Sequence, residues 1–348
     1  MAALFAADTF LARIERQESR AEAERLHSEG LELLRVGRPA DAVDRLRTAM
    51  SMAQDNREYP VALARALAAA GRQEDAEGVL KDLLDRSSTD GPANLEMARL
   101  LSKSGAFAEA VAYYHRAIYG QWSADPTGNQ RGARLELIGL LAKNGAKREL
   151  LAELLPMQDD VSTDAATRVR MARLYLQAGS PERSAEMFQQ VLKRDSRNPD
   201  AYFGLGQAEF AQAQYPRACG HFRSASRLKP SDEEIKKRLA LCEQIISLDP
   251  TGRGLDAREK DLRSRKLVEL SLASLSQCSG AGPSSAASSD LIERAKRALK
   301  ARVSQPEHDA EANLDLAGDL WQARRNQCPQ PVQPAEEALA AVLSRTAR

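Results

Sequence analysis

The chain has 348 residues, of which 5% are aromatic and 28% are charged, and its formal net charge is +1 from 50 basic and 49 acidic residues. This balance argues against nucleic acid or an acidic membrane surface as the main partner. Alternating β-branched runs bounded by turn residues are missing, which predicts a chain without β-sheet. Runs of about 18 apolar residues are missing too, so the sequence predicts no membrane span within it.

Residues 1–22 are predicted to form a charged lead-in helix. Leu4, Phe5, Phe10 and Leu11 make a short apolar run at its start. One alternative is that this apolar side caps the helices that follow. The other is that it is the trimmed end of a membrane anchor. The second alternative would place the protein on the periplasmic side and tethered to the membrane, and the first leaves a cytoplasmic protein equally open.

Glycines recur along the next part of the chain at a fixed spacing. Gly37, Gly71 and Gly105 are 34 residues apart, Gly145 follows after 40 residues, and Gly179 follows after 34. The spacing predicts pairs of helices joined by tight turns, with one insertion of six residues. Two further kinds of position keep the same register. A small residue recurs in the first helix of a pair at Gly30, Ala64, Ala98, Ala172 and Gly206. A large residue recurs in the second helix at Leu46, Leu80, Tyr114, Leu154, Phe188 and Phe222.

Residues 199–230 show the pattern most completely. Leu205 and Gly206 are followed in order by a small residue, Phe222, another small residue and Pro230. This order and the 34-residue period resemble the tetratricopeptide repeat. The resemblance covers residues 21–250 and implies helix pairs that bind another polypeptide.

We therefore predict an all-α, right-handed superhelical solenoid of antiparallel helix pairs. Residues 23–250 form six pairs and a further helix, 251–278 a long helix, 279–289 a flexible linker, and 290–348 degenerate C-terminal helical repeats. The insertion, residues 119–128, is predicted to be a loop because it contains Pro126 and Gly128. The high content of Ala, Arg and Leu is typical of a bacterial protein.

In the resembling family, a concave groove lined by the first helices binds the partner. The residue after each small position is expected to face that groove: Leu31, Arg65, Arg99, Gly139, Arg173 and Gln207. Lys103 and Lys143 follow one helical turn later. Because guanidinium groups bind carboxylates in a bidentate manner, we expect an acidic, extended or helical partner segment.

Two alternatives to this interpretation of the groove stay open. The arginines could instead pair with carboxylates of the chain itself, namely Glu24, Glu58, Glu96 and Glu136. The family's carboxylate-clamp subclass uses groove asparagines, and these positions contain none.

Other parts of the chain offer alternative functions. Tyr119 and Trp122 in the insertion could anchor an interface, as in a structural assembly subunit, although Trp122 could equally pack over the third pair. The basic stretch 293–303 could contact RNA, but it lacks stacking aromatic residues, so a solvated helix face is favoured.

The sequence predicts no enzyme, no metal, no cofactor and no small-molecule substrate. The four histidines are scattered, and Gly204-Leu205-Gly206 lies inside a helix rather than after a strand. Cys219 and Cys242 are predicted to be buried as small apolar residues. Cys278 and Cys328 each follow a predicted helix, so their loop ends could form a disulfide in an oxidising compartment.

Overall fold

The computed structural model describes residues 2–157, 164–278, 286–327 and 333–346. Seventeen α-helices, α1 to α17, lie within these residues, and no β-strand does. The sheet-like contact among them is an isolated bridge between Asp90 and Gln121. The prediction of an all-α array of antiparallel helix pairs is confirmed.

The chain divides into two compact units, Met1–Glu153 and Leu154–Arg348. In the first unit α1 packs on α2, α3 on α4 and α5 on α6. The helices are α1 (Ala2–Arg35), α2 (Pro39–Met52), α3 (Glu58–Ala69), α4 (Gln73–Arg86), α5 (Gly91–Ser104), α6 (Phe107–Ile118), α7 (Pro126–Lys143) and α8 (Lys147–Leu154). A 3₁₀ turn, Leu155–Met157, follows α8.

The predicted turn glycines have the backbone conformation that a tight turn requires. Their φ angles are 79° at Gly37, 80° at Gly71, 83° at Gly105, 67° at Gly145 and 76° at Gly179. Glycine adopts this left-handed conformation at low cost and so ends the first helix of each pair. The register read from the glycines is therefore the register of the helix pairs.

The small and large positions of the pattern face each other inside a pair. A Cβ atom on Gly30 would lie 2.5 Å from Leu46 Cγ, and one on Gly206 would lie 2.7 Å from the Phe222 ring. The large residues are buried, with Leu46 and Phe222 fully inaccessible and Tyr114 4% exposed. Close helix approach thus explains why the two positions alternate in size.

The first helix differs from the sequence prediction. The predicted lead-in helix, 1–22, and the first helix of the first pair form one continuous helix, α1, of 34 residues. A helix this long extends past its partner α2, because α2 has only 14 residues. None of the described helices is long and apolar enough to cross a membrane.

The second unit begins as regular pairs, with α9 packed on α10 and α11 on α12. Its helices are α9 (Ala165–Gln177), α10 (Pro181–Arg194), α11 (Pro199–Ala211), α12 (Tyr215–Leu228), α13 (Glu233–Leu248), α14 (Ala257–Cys278), α15 (Ala286–Lys300), α16 (Pro306–Gln327) and α17 (Glu337–Thr346). A 3₁₀ turn, Pro334–Glu336, precedes α17.

The degenerate C-terminal helical repeats over 290–348 stay a prediction. Among the last four helices α14 packs chiefly on α16, α15 contacts both of them, and α17 packs on α13. The physical reason is burial: Leu267 and Val268 of α14 share one apolar cluster with Leu320 of α16 and Leu339 of α17. The helix α15 begins at Ala286, inside the predicted linker 279–289, and 279–285 lie outside the described residues.

A disulfide joins Cys219 of α12 to Cys242 of α13, with the Cα atoms 5.6 Å apart. Both cysteines are buried, as predicted, but they are bonded to each other rather than free apolar residues. The sequence prediction missed the bridge because a separation of 23 residues places the two side chains together only once the helices pack. The predicted pair Cys278 and Cys328 lies outside the description, since the structure does not describe Cys328.

Candidate functional site

The first unit contains a concave cavity of about 1030 Å³, which we call the N-terminal groove. Its walls come from α1, the loop between α2 and α3, α3, the start of α5 and the insertion. Of the predicted groove residues, Leu31 and Arg65 line it. Arg99, Lys103 and Lys143 lie outside its lining. First helices therefore do form a concave surface in this unit.

An aromatic pair and an exposed leucine form the apolar part of the groove. The rings of His27 and Tyr59 lie 4.7 Å apart, and Leu31 is 39% exposed. Burial lowers the pKa of His27, which favours the uncharged form of its ring. Burial also raises the pKa of Tyr59. The aromatic pair thus presents an uncharged surface inside a charged rim.

The insertion is held against the start of α5 by backbone hydrogen bonds. The Gln121 amide donates to the Thr89 carbonyl at 2.7 Å, and the Gly91 amide donates to the Gln121 carbonyl at 2.9 Å. Residues 121–124 consequently form one wall of the N-terminal groove. The sequence located the insertion, but its role as a wall depends on this pairing.

Trp122 packs over the third pair, which was one of the two predicted alternatives. Its ring lies against Gly91, where an added Cβ atom would come within 2.5 Å of the indole. Its indole N–H donates to the Ala117 carbonyl at 2.9 Å. Tyr119, in contrast, is 74% exposed, with the Arg134 guanidinium 5.9 Å from its ring centre.

Four charged residues form a continuous chain of ion pairs across α3, α5 and α7. This salt-bridge ladder consists of Arg65, Glu96, Arg99 and Glu136. Arg65 Nε donates to Glu96 Oε1 at 2.5 Å, and Arg99 Nη1 donates to the same oxygen at 2.6 Å. Arg99 also donates from Nε and Nη2 to Glu136, at 2.9 and 2.5 Å.

The contacts of the ladder shift the pKa values of Glu136 and of the neighbouring Tyr114. Burial alone would raise the pKa of Glu136, but hydrogen bonds from Arg99 and Tyr114 outweigh it, and the net pKa is lowered. Burial, with the Glu136 charge as a second cause, raises the pKa of Tyr114 to about 12. The Tyr114 hydroxyl donates to Glu136 Oε2 at 3.3 Å. A residue of the second helix α6 thus stabilises a carboxylate of the salt-bridge ladder.

These contacts bear on the two alternatives for the first-unit arginines. Arg65 and Arg99 are engaged by Glu96 and Glu136, as the pairing alternative expected. The same alternative is wrong for Glu24 and Glu58, because neither makes an ion pair in the described part of the chain. Lys103, Lys143 and Gly139 are exposed.

Arg173 and Gln207 lie in the second unit. Arg173 Nη2 and Lys229 Nζ both contact Asp200 Oδ1 at 3.2 Å, so two cations share one carboxylate. The Arg173 side chain is 50% exposed, and Gln207 is half-buried. This part of the second unit consequently keeps an excess of positive charge.

Sequence reasoning missed His27 and Tyr59 as groove residues. Their positions are not equivalent in the repeat, so the 34-residue register gives no signal for them. Glu24 and Glu58 are equivalent, since they are 34 residues apart, and the repeat could have singled them out. In the described residues, no group of three His, Cys, Asp or Glu side chains could hold a metal ion.

Comparison with known families agrees with the geometry. Residues 33–93 and 169–233 match family models described as "Tetratricopeptide repeat". The chain thus contains tetratricopeptide repeats in both of these ranges. Proteins built from these repeats mediate protein–protein or peptide binding and are generally non-catalytic.

Similar proteins come from different sources. "DnaJ homolog subfamily C member 3" from Gallus gallus is 22% identical over 242 residues, which is 66% of this chain and 46% of that protein. The chain thus spans about half the length of this curated relative. With a chicken protein among the relatives, a bacterial source stays a prediction.

Two solved structures are among those to which the chain is similar. YrrB, described as "a TPR protein with an unusual peptide-binding site", is 16% identical with a TM-score of 0.44, over 55% of this chain and 94% of YrrB. The C-terminal part of a TPR repeat-containing protein from Cytophaga hutchinsonii is 9% identical with a TM-score of 0.46, over 89% of this chain and 98% of that one.

Proposed function

We propose that this protein is a non-catalytic scaffold that binds an extended or helical segment of a partner protein against its first helices. The N-terminal groove is the observation that carries the proposal. It is a concave cavity of about 1030 Å³ in which an exposed leucine and an aromatic pair lie beside charged side chains. Interfaces of this composition, with an apolar centre and a polar rim, are typical of protein recognition.

The charged side chains of the second unit support the proposal that the partner segment is acidic. There Arg173 and Lys229 share the single carboxylate of Asp200, so an incoming carboxylate would meet an uncompensated cation. Arg65 and Arg99 give less support, because a ligand carboxylate would first have to displace Glu96 or Glu136. We therefore assign the preference for an acidic partner segment to Arg173. Gln207 is the equivalent position one repeat later.

A structural assembly role is the second candidate, and one observation favours it. Tyr119 is 74% exposed, and tyrosine is among the residues enriched at protein interfaces. Trp122 contributes less, since its indole N–H is already bonded to Ala117. An assembly through Tyr119 would not require either groove surface.

A pull-down with variants of two first-helix residues tests the proposal. The bait is the full chain, as wild type, Leu31→Glu or Arg173→Glu, and prey proteins from a lysate of the source organism are identified by mass spectrometry. We expect at least one specific prey to be lost from one of these variants, because Leu31→Glu puts a charge into the apolar part of the N-terminal groove and Arg173→Glu reverses the charge that favours an acidic segment. Circular dichroism checks that helicity is unchanged.

Arg47→Glu provides the matched control. Arg47 is exposed on α2, a second helix, and makes no ion pair in the described part of the chain. Its charge reversal should leave every prey bound. If all four baits recover the same proteins, groove binding is wrong, and Tyr119→Ala becomes the variant to compare.

A further inference from the structure

Two glutamates converge on the aromatic pair of the N-terminal groove. Glu24 of α1 and Glu58 of α3 both line the groove, at equivalent positions of the first two pairs. Both act electrostatically on His27 of α1 and on Tyr59 of α3, whose rings lie 4.7 Å apart. Two negative charges therefore meet at one place on the concave surface.

The arginines that line the groove do not compensate these charges. Arg20 pairs with Asp55 at 2.9 Å, and Arg57 donates to Ser87 Oγ at 3.2 Å. Arg65 pairs with Glu96 in the salt-bridge ladder. Two of these arginines thus have a carboxylate partner of their own and Arg57 is directed at a neutral hydroxyl, while the two glutamates have no ion pair in the described residues.

The surroundings of the two glutamates are suited to a cation with an apolar stem. His27 is half-buried and stacks on Tyr59, and exposed Leu31 lies one helical turn further along α1. The methylene groups of a lysine or arginine side chain, four in lysine and three in arginine, pack on such surfaces while the charged end reaches the carboxylates. A concave wall also excludes water and strengthens the charge attraction.

We propose that the N-terminal groove binds its partner segment through a lysine or arginine side chain seated between Glu24 and Glu58, with a neighbouring apolar residue of that segment against Leu31. Charge complementarity with the uncompensated glutamates is the argument for this occupant. The proposal rests on the proposed function and assigns opposite charge preferences to the two units, since Arg173 of the second unit favours acidic residues.

Selection from a phage-displayed library of random peptides tests this assignment. The immobilised full chain is the target, and the recovered peptides are sequenced and resynthesised with a fluorescent label. We expect a group of peptides with a basic residue next to an apolar one. Their Kd, measured by fluorescence anisotropy, should rise about tenfold for the double variant Glu24→Gln/Glu58→Gln.

Glu74→Gln/Glu109→Gln is the matched control. It removes the same charge from exposed positions on α4 and α6, which are second helices, and should leave Kd unchanged. A rise in Kd for both double variants would show a general charge effect and overturn the proposal. Peptides that are lost from Leu31→Glu but carry acidic or neutral residues would also overturn it, while leaving groove binding intact. Recovered peptides that none of these variants affects would contradict the proposed function itself.

Discussion

Glu96 shows how a single residue can engage two cations that the sequence assigns to partner binding. It is 8% exposed and accepts hydrogen bonds from both Arg65 and Arg99, so it neutralises the two cations that the sequence assigns to partner binding. The periodic arginines are visible in the sequence. Their partners are not, because the pairs join residues 31 and 37 positions apart on neighbouring first helices.

The ladder predicts a pH-dependent contribution to stability. Replacing Glu136 with glutamine should lower the free energy of unfolding at pH 7 by about 1 kcal/mol, because Arg99 loses its bidentate partner in a half-exposed site. The pKa of Glu136 is lowered in the folded state. Its contribution is therefore present above the ordinary carboxyl pKa and disappears as the pH falls through the lowered value.

Urea unfolding of wild type and Glu136→Gln at several pH values between 7 and about 3 measures this effect. The difference in the free energy of unfolding between the two proteins should be full at pH 7 and shrink steadily below the ordinary carboxyl pKa. Asp41→Asn serves as the control, because the Arg38–Asp41 pair is 63% and 51% exposed and should be worth less than about 0.5 kcal/mol. A difference that does not shrink in acid would rule out the ion pairs as its source.

Helix pairing is the element-scale feature that the sequence predicts best within the regular repeats. The turn glycines and the alternation of small and large positions are local signals, and each recurs within one 34-residue unit. Past α13 the partners are distant in the sequence: α14 packs on α16 and α17 on α13. No local pattern encodes that choice, because it depends on which apolar faces remain to be buried.

Replacing glycine with alanine should change the stability of the protein in opposite directions at Gly206 and at Gly220. Gly206→Ala should destabilise the protein by about 1–3 kcal/mol, because its Cβ would lie 2.7 Å from the Phe222 ring. Gly220→Ala should stabilise it by about 0.5–1 kcal/mol, because Gly220 lies on the open side of α12 with nothing within 4 Å of an added Cβ. Thermal unfolding of the two variants compares them directly. A gain in stability for both would show that α11 and α12 are not in close contact at Gly206.

The two units differ in the apolar clusters and the disulfide that stabilise them. The second unit contains a large apolar cluster that runs from Phe203 to Leu343 and includes the Cys219–Cys242 disulfide. The first unit has separate clusters, one around Leu63 and Leu80 and another around Leu26 and Tyr59. In a repeat array each pair is stabilised mainly by its neighbours, so a perturbation should stay near its origin.

Removing the disulfide tests this locality. The variant Cys219→Ala/Cys242→Ala should lose about 3 kcal/mol, the amount that the chain-entropy model gives for a bridge that closes a loop of about this length. Hydrogen exchange followed by mass spectrometry should show weaker amide protection in α11 to α13 and unchanged protection in α2 to α4. Alkylation of unreduced, denatured wild type should leave both cysteines unmodified. If protection instead falls equally in α2 to α4, the array unfolds as one cooperative body, and neighbour contacts alone do not set its stability.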